Sequence, residues 1–115
     1  MWDVVIIGAG PIGLACGIEA KRRGLNALLI EKGALLNSLL GYPTNMEFFS
    51  TPDLMEIGGH PFPTRGYKPT REEAIEYYRR VATAEQLRIR LYERVLRVDG
   101  EDENFTVVTE KGTYR

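Results

Sequence analysis

A glycine-rich turn directly after a short apolar segment constrains the fold of this chain more than any other feature. Four apolar residues, Val4 to Ile7, lead into Gly8, Gly10 and Gly13, which have the spacing Gly-x-Gly-x-x-Gly. An unbroken apolar run rich in β-branched residues is typical of a strand buried on both faces. Pro11 favours a helix start, because its missing N–H would have no partner in the first helical turn. The segment therefore predicts a strand, a tight turn and a helix.

The following residues extend this segment to a βαβ unit. The helix is predicted over Pro11 to Arg23 with Gly24 after its last residue, and Ala27 to Ile30 then predict a second buried strand. Two parallel strands joined by a helix are connected by a right-handed crossover in almost every known case. The predicted fold class is therefore α/β, with a Rossmann-like parallel sheet at its start.

The three glycines have separate purposes in a unit that binds a dinucleotide. Gly8 allows the tight turn, Gly10 lets a diphosphate approach the main chain, and Gly13 allows close packing of helix and strand. The first helical amides have no acceptors within the helix, and the helix dipole adds about half a positive charge. We expect Ile12 and Gly13 to donate these amides to the diphosphate, since Pro11 has no N–H.

An acidic residue follows the second strand. Glu31 lies roughly 20 residues after the last glycine, where a carboxylate accepts hydrogen bonds from both hydroxyls of an adenosine ribose. Its charge would repel a 2′-phosphate, so this site is expected not to prefer NADP. The residues alone leave FAD and NAD open. An NAD-binding dehydrogenase domain is thus one alternative, and a cofactor-free structural remnant is another.

A long irregular segment comes next. Residues 33–69 hold five of the six prolines together with five aromatic side chains. A loop of this length in a compact domain is usually functional or disordered, and its aromatic content argues against disorder. We expect it to cover a bound cofactor.

Regular structure is predicted to return at Thr70. Thr70 and Glu73 form a capping-box pattern, and apolar residues at helical spacing predict a helix that ends near Glu85. The alternating stretch Leu87 to Tyr92 predicts a strand. Residues 94–98 and 105–108 flank a turn-rich stretch and predict a β-hairpin, followed by a last strand from residue 113.

Composition excludes several function classes. A net charge of −1 over 115 residues gives no basic footprint for nucleic acid, and no apolar run approaches the roughly 20 residues of a membrane helix. Cys16 is the only cysteine, so no disulfide or CxxC pair forms within the chain, and we expect it to be buried and inert. His60 is the only histidine; we expect it to pack in the loop, and no metal site is predicted. The expected compartment is the cytoplasm.

Longer stretches resemble known flavoproteins. The segment from Asp3 to Gly33 resembles the FAD fingerprint of flavoproteins with two dinucleotide-binding domains, including a small residue at Gly17 and a glycine at Gly24. The stretches YPTNMEFFSTPDLMEIGGHPF, KPTREEAIEYYRRV and ERVLRV are similar to the bacillithiol-disulfide reductase family of thioredoxin-reductase-like flavoproteins. The resemblance covers essentially the whole chain. It implies that residues 1–115 are the incomplete, N-terminal part of an FAD-binding domain, with the NADPH domain outside this chain.

The resemblance also implies an activity. Members of the family are cytoplasmic homo-oligomers that pass electrons from NADPH through FAD to a low-molecular-weight disulfide such as bacillithiol disulfide. A close alternative is the FAD part of a thioredoxin-reductase-type ferredoxin–NADP reductase, whose acceptor is a redox protein. No residue of this chain is assigned a catalytic role, because the flavin carries the hydride and electron chemistry.

The resemblance assigns binding roles by position. Some relatives have a cysteine where this chain has Ile12, which excludes thiol chemistry at that position. The implied contacts are Gly8, Gly10, Pro11 and Ile12 to the FAD diphosphate, Glu31 and Lys32 to the adenosine ribose, Tyr42 and Thr44 to the flavin ring, and the main chain of Val95 to the adenine.

Overall fold

The predicted βαβ unit forms the start of a parallel sheet. In the computed structural model, which describes all residues 1–115, β1 (Val4–Ile7) and β2 (Ala27–Ile30) pair in parallel along all four residues of each strand. Helix α1 (Pro11–Arg22) connects them. β3 (Ile89–Arg90) pairs with β2 on the side away from β1, so the strand order is β1-β2-β3. The α/β class predicted from the sequence is confirmed, but the expectation that β1 is buried on both faces is wrong: Val4 to Ile6 are only partly buried and Ile7 is 59% exposed, because β1 is the edge strand of the sheet.

The strand predicted over residues 87–92 is shorter in the structure. Only Ile89–Arg90 pair with β2, because Gln86 and Tyr92 adopt left-handed backbone conformations with φ of 53° and 54° on either side. The chain then enters an antiparallel sheet of β4 (Val95–Glu101), β5 (Asn104–Thr109) and β6 (Thr113–Tyr114). The predicted hairpin and last strand are therefore confirmed.

The parallel sheet lies between the helices and the antiparallel sheet. Alternate residues of β2 face opposite sides, as the period of a strand requires. Leu29 packs into the larger core with residues of α1 and of the helix after the loop. Leu28 and Ile30 pack on the other face with Val107 of β5.

The long loop folds against the helices, largely without regular structure. It contains two single-turn helices, α2 (Asn37–Leu40) and α3 (Pro52–Met55), and one antiparallel bridge between Glu47 and Thr70. Phe62 is 4% exposed and stacks on Tyr77, with ring centroids 4.2 Å apart. Part of the loop is thus in the core, whereas its Phe49 and Tyr67 are largely exposed.

Helix α4 (Arg71–Ala84) begins at the predicted capping box. The Glu73 N–H donates to the Thr70 hydroxyl at 3.2 Å, and the Thr70 N–H donates to the Glu73 carboxylate at 3.0 Å. Tyr77 and Tyr78 are buried on the inner face of α4. Burial raises the pKa of Tyr78 to about 12, so its hydroxyl remains a donor, and it donates to the Met55 carbonyl at 2.8 Å. This hydrogen bond ties the loop to α4.

The expectation that Cys16 is buried is wrong. Cys16 is exposed, because Gly13 and Gly17 lie on the face of α1 that meets the sheet. Residues four apart share one face of a helix, which places Cys16 with Ile12 on another face. Both are exposed.

A buried carboxylate at the end of α4 anchors the loop to two helices. Glu85 is 9% exposed, and its Oε2 lies 2.6 Å from His60 Nε2 and 3.0 Å from an Arg22 guanidinium nitrogen. The hydrogen bond from His60, supported by Arg22 and Lys21, outweighs burial and lowers the pKa of Glu85. His60 therefore packs in the loop, as predicted, and also contributes an ionic contact.

We expect this cluster to make stability depend on pH. Because the pKa of Glu85 is lower in the folded than in the unfolded state, its stabilising contribution is complete above the ordinary carboxyl pKa and is lost as pH falls through the lowered value. Glu85→Gln is expected to reduce the free energy of unfolding by roughly 1–2 kcal/mol near neutral pH, with the difference shrinking on acidification. Urea denaturation of both proteins over a pH series measures this. A difference that is constant with pH would contradict the assignment.

Candidate dinucleotide-binding site

The turn between β1 and α1 is closed by contacts that only glycines permit. The Gly8 N–H donates to the Ile30 carbonyl of β2 at 2.8 Å, and Gly8 has a φ of +110°, where L side chains are disfavoured. A Cβ on Gly13 would lie 2.3 Å from the Gly8 carbonyl oxygen. The helix therefore starts in direct contact with the turn.

The opposite side of this turn is open. Gly10 has a φ of −88°, and a Cβ placed on it would have no protein atom within 4 Å. Helical hydrogen bonding starts with the Leu14 N–H, which donates to the Gly10 carbonyl at 2.9 Å. The N–H groups of Ile12 and Gly13 form no hydrogen bond within the chain. Two amides at a helix N-terminus are thus free to donate to an anion such as a diphosphate.

Glu31 joins the turn to the end of β2. Its Oε1 accepts from the Ala9 N–H at 3.0 Å and its Oε2 from the Gly33 N–H at 2.9 Å, while the residue is 8% exposed. A carboxylate offers about four lone-pair sites, so both oxygens keep capacity for ligand hydroxyls. The carboxylate lies beside the helix N-terminus, as an adenosine diphosphate requires. The residues present therefore fit the adenosine diphosphate half of FAD.

The other predicted contacts lie in three places. Lys32 is exposed next to Glu31, whereas the side chain of Val95 packs against the cluster between the two sheets. Tyr42 and Thr44 are exposed in the loop after α2, where the Tyr42 ring lies 6.1 Å from that of Phe48. The structure brings the turn and Glu31 together directly, and the flavin-side residues stay a prediction.

Sequence reasoning missed Glu93, a buried carboxylate near the end of β2. Its N–H donates to the Glu31 carbonyl at 3.0 Å, and its side chain accepts hydrogen bonds from Thr109 and Tyr114. No motif indicates this contact, because the partners lie 16 and 21 residues away in the sequence.

Two kinds of feature are absent from the structure. No helix in the structure is both long and apolar enough to span a lipid bilayer. No three His, Cys, Asp or Glu side chains are grouped so that they would hold a metal ion.

Comparison with known proteins agrees with this geometry. A family model described as pyridine nucleotide-disulphide oxidoreductase matches residues 5–115. The chain belongs to this family. It is 48% identical over 77 residues to the bacilliredoxin reductase of Bacillus subtilis, an alignment that covers 67% of this chain and 24% of that protein.

The solved structures show the same relationship. Bacillithiol disulfide reductase of Staphylococcus aureus superimposes with a TM-score of 0.94 and 42% identity, covering 98% of this chain and 35% of that one. The predicted resemblance and the Rossmann-like fold are therefore confirmed. The chain spans about a quarter to a third of these relatives.

Proposed function

We propose that this chain is the FAD-binding part of an NADPH-dependent flavoprotein oxidoreductase. The observation that carries the proposal is the pair of unbonded amides of Ile12 and Gly13 beside the Glu31 carboxylate. In this arrangement the amides bind the diphosphate and Glu31 binds the adenosine ribose. Family membership supports FAD rather than NAD alone as the ligand.

The residues of this chain bind and orient the cofactor. Gly10 would keep the main chain accessible to the diphosphate, and Lys32, which is exposed next to Glu31, would lie beside the ribose. Tyr42 and Thr44 of the loop would lie along the flavin ring, and the main chain of Val95 would face the adenine. The chemistry supplied by bound FAD is acceptance of a hydride and transfer of its electrons to an acceptor.

The acceptor that we propose is a low-molecular-weight disulfide such as bacillithiol disulfide. The names of the Bacillus and Staphylococcus relatives support this class of substrate. Ile12 carries no thiol, so disulfide exchange at that position is excluded and the reaction would depend on the flavin. The NADPH site would lie outside residues 1–115, and we propose that the whole protein is a cytoplasmic homo-oligomer.

A second candidate acceptor is a redox protein. The ferredoxin–NADP reductase of Lactococcus lactis is 31% identical over an alignment that covers 98% of this chain and 32% of that protein. NADPH oxidation by the whole protein, measured separately with bacillithiol disulfide and with ferredoxin, distinguishes the two. Faster turnover with the disulfide is expected, and turnover with ferredoxin alone would favour the second candidate.

Flavin binding tests the proposal on this chain. The purified protein is titrated with FAD and, in parallel, with NAD, while flavin fluorescence and heat release are recorded. Saturable binding of FAD that is tighter than that of NAD is expected. Preference for NAD, or binding of neither, would contradict the proposal.

Substitution of Glu31 is expected to affect both affinity and stability. Glu31→Ala removes the ribose acceptor and should weaken FAD binding about tenfold. It also leaves the Ala9 and Gly33 N–H groups without their acceptor, which should reduce the free energy of unfolding by roughly 1–2 kcal/mol. FAD titration and urea denaturation measure the two effects. The matched variant Glu31→Gln keeps one acceptor oxygen, so its affinity and stability should lie between those of the wild type and of Glu31→Ala. Unchanged FAD affinity in Glu31→Ala would show that Glu31 does not contact the ribose.

A further inference from the structure

Glu93 is a buried carboxylate outside the glycine-rich turn. It is 3% exposed, and its Oε2 accepts from the Thr109 hydroxyl at 2.6 Å and from the Tyr114 hydroxyl at 2.7 Å. Its Oε1 lies 3.9 Å from Arg90 Nε. Burial raises the pKa of Glu93, but the two hydroxyl bonds and the neighbouring cations outweigh it and lower the pKa. The charge is therefore retained inside the protein by specific donors.

The main chain around Glu93 is bound to the end of β2. The Glu93 N–H donates to the Glu31 carbonyl and the Tyr92 N–H to the Gly33 carbonyl, each at 3.0 Å. These bonds place residues 92–95 directly beside the residue proposed to bind the ribose. The side chain of Glu93 fixes the same segment to the antiparallel sheet, where Val95 pairs with Thr109.

We infer that Glu93 is a positioning residue for the adenosine half of the cofactor. It links the antiparallel sheet to the end of β2, so that the main chain of Val95 and the Glu31 carboxylate keep a fixed separation. A carboxylate suits this role because it only accepts, so both hydroxyl protons must point at it. The inference rests on the proposed function.

The test compares the affinities of FAD and ADP for the purified chain. Glu93→Ala is expected to raise the Kd of both ligands by about tenfold and by the same factor, because the adenosine half is common to them. Glu93→Gln keeps one oxygen that accepts both hydroxyl bonds and should restore most of the affinity. Both titrations are carried out where circular dichroism shows the variants to be fully folded, because a loss of general stability raises the apparent Kd of both ligands only through the unfolded fraction.

A matched control removes a buried hydroxyl elsewhere. The Tyr77 hydroxyl accepts from the Ile57 N–H at 2.9 Å and donates to the His60 carbonyl at 2.7 Å. Tyr77→Phe should lower the melting temperature and leave the Kd of ADP unchanged. If Glu93→Ala does not fold, Tyr114→Phe takes its place, and a smaller rise in the Kd of both ligands is expected.

The outcomes separate this inference from the proposed function. Unchanged FAD and ADP affinity in Glu93→Ala, or in Tyr114→Phe where the first variant does not fold, would overturn the positioning role while leaving the site intact. A wild-type chain that binds neither FAD nor ADP would overturn the proposed function itself.

Discussion

A Gly10→Ala variant is expected to remain folded and to lose most of its affinity for FAD. The added methyl group meets no protein atom within 4 Å, and a φ of −88° is ordinary for alanine. It would project into the space that the diphosphate needs. We expect the Kd of FAD to rise about 100-fold, equivalent to roughly 2.7 kcal/mol, while the free energy of unfolding changes by less than about 1 kcal/mol.

Flavin titration and urea denaturation of the same preparations measure these two quantities. Gly112→Ala is the matched control, since a Cβ at Gly112 also meets no protein atom and the residue lies in the turn before β6. It should change neither quantity appreciably. Normal FAD affinity in Gly10→Ala would show that the ligand does not approach this turn.

A Gly13→Ala variant is expected to lose folding stability, in contrast to Gly10→Ala, which is expected to lose affinity for FAD. Alanine ordinarily stabilises a helix by about 1 kcal/mol relative to glycine. Here its Cβ would overlap the Gly8 carbonyl oxygen, 2.3 Å away, and separate α1 from the turn. We expect the free energy of unfolding to fall by roughly 3 kcal/mol, measured by urea denaturation.

Gly17→Ala provides the comparison within the same helix. Its Cβ would lie 3.0 Å from Cδ1 of the buried Leu29, which must shift by only a few tenths of an ångström, whereas the Gly13 Cβ would meet main-chain atoms. The helix propensity gained should offset this contact, leaving stability within about 1 kcal/mol of wild type. Equal losses in Gly13→Ala and Gly17→Ala would contradict the special packing assigned to Gly13.

Local sequence patterns predict the first part of the fold well. The apolar run into Gly8, the proline at the helix start and the capping box at Thr70 each depend on nearby residues, and the structure has all three. The exposed position of Cys16 was also available from the spacing of Gly13 and Gly17, which fixes the face of α1 turned to the sheet.

The remaining structure depends on contacts between residues far apart in the chain. The path of the loop is fixed by Tyr77, Tyr78 and Glu85, whose partners are main-chain groups and a histidine that no short pattern identifies. The predicted strand at residues 87–92 is interrupted at Tyr92, where the chain turns to bond the end of β2. Tertiary hydrogen bonds thus override the alternation of side chains there.

In the candidate site, too, some features are predictable from local sequence and others depend on contacts between distant residues. The glycines and Glu31 are predictable because a diphosphate and a ribose require those residue types at a nearly fixed spacing. The hydrogen bonds of Glu31 to Ala9 and Gly33, and the support from Glu93, appear only in three dimensions. These hydrogen bonds give Glu31 a structural role in addition to the ligand contact that the sequence predicts for it.

The most direct test is the amide NMR spectrum of the nitrogen-15-labelled chain during titration with FAD. We predict that the largest shifts occur at the N–H groups of Ile12 and Gly13, together with those of Ala9 and Gly33 that hold Glu31. Shifts that spare these four amides while FAD binds elsewhere, for example beside Trp2 and Phe105, would contradict the assignment of the helix N-terminus as the diphosphate site.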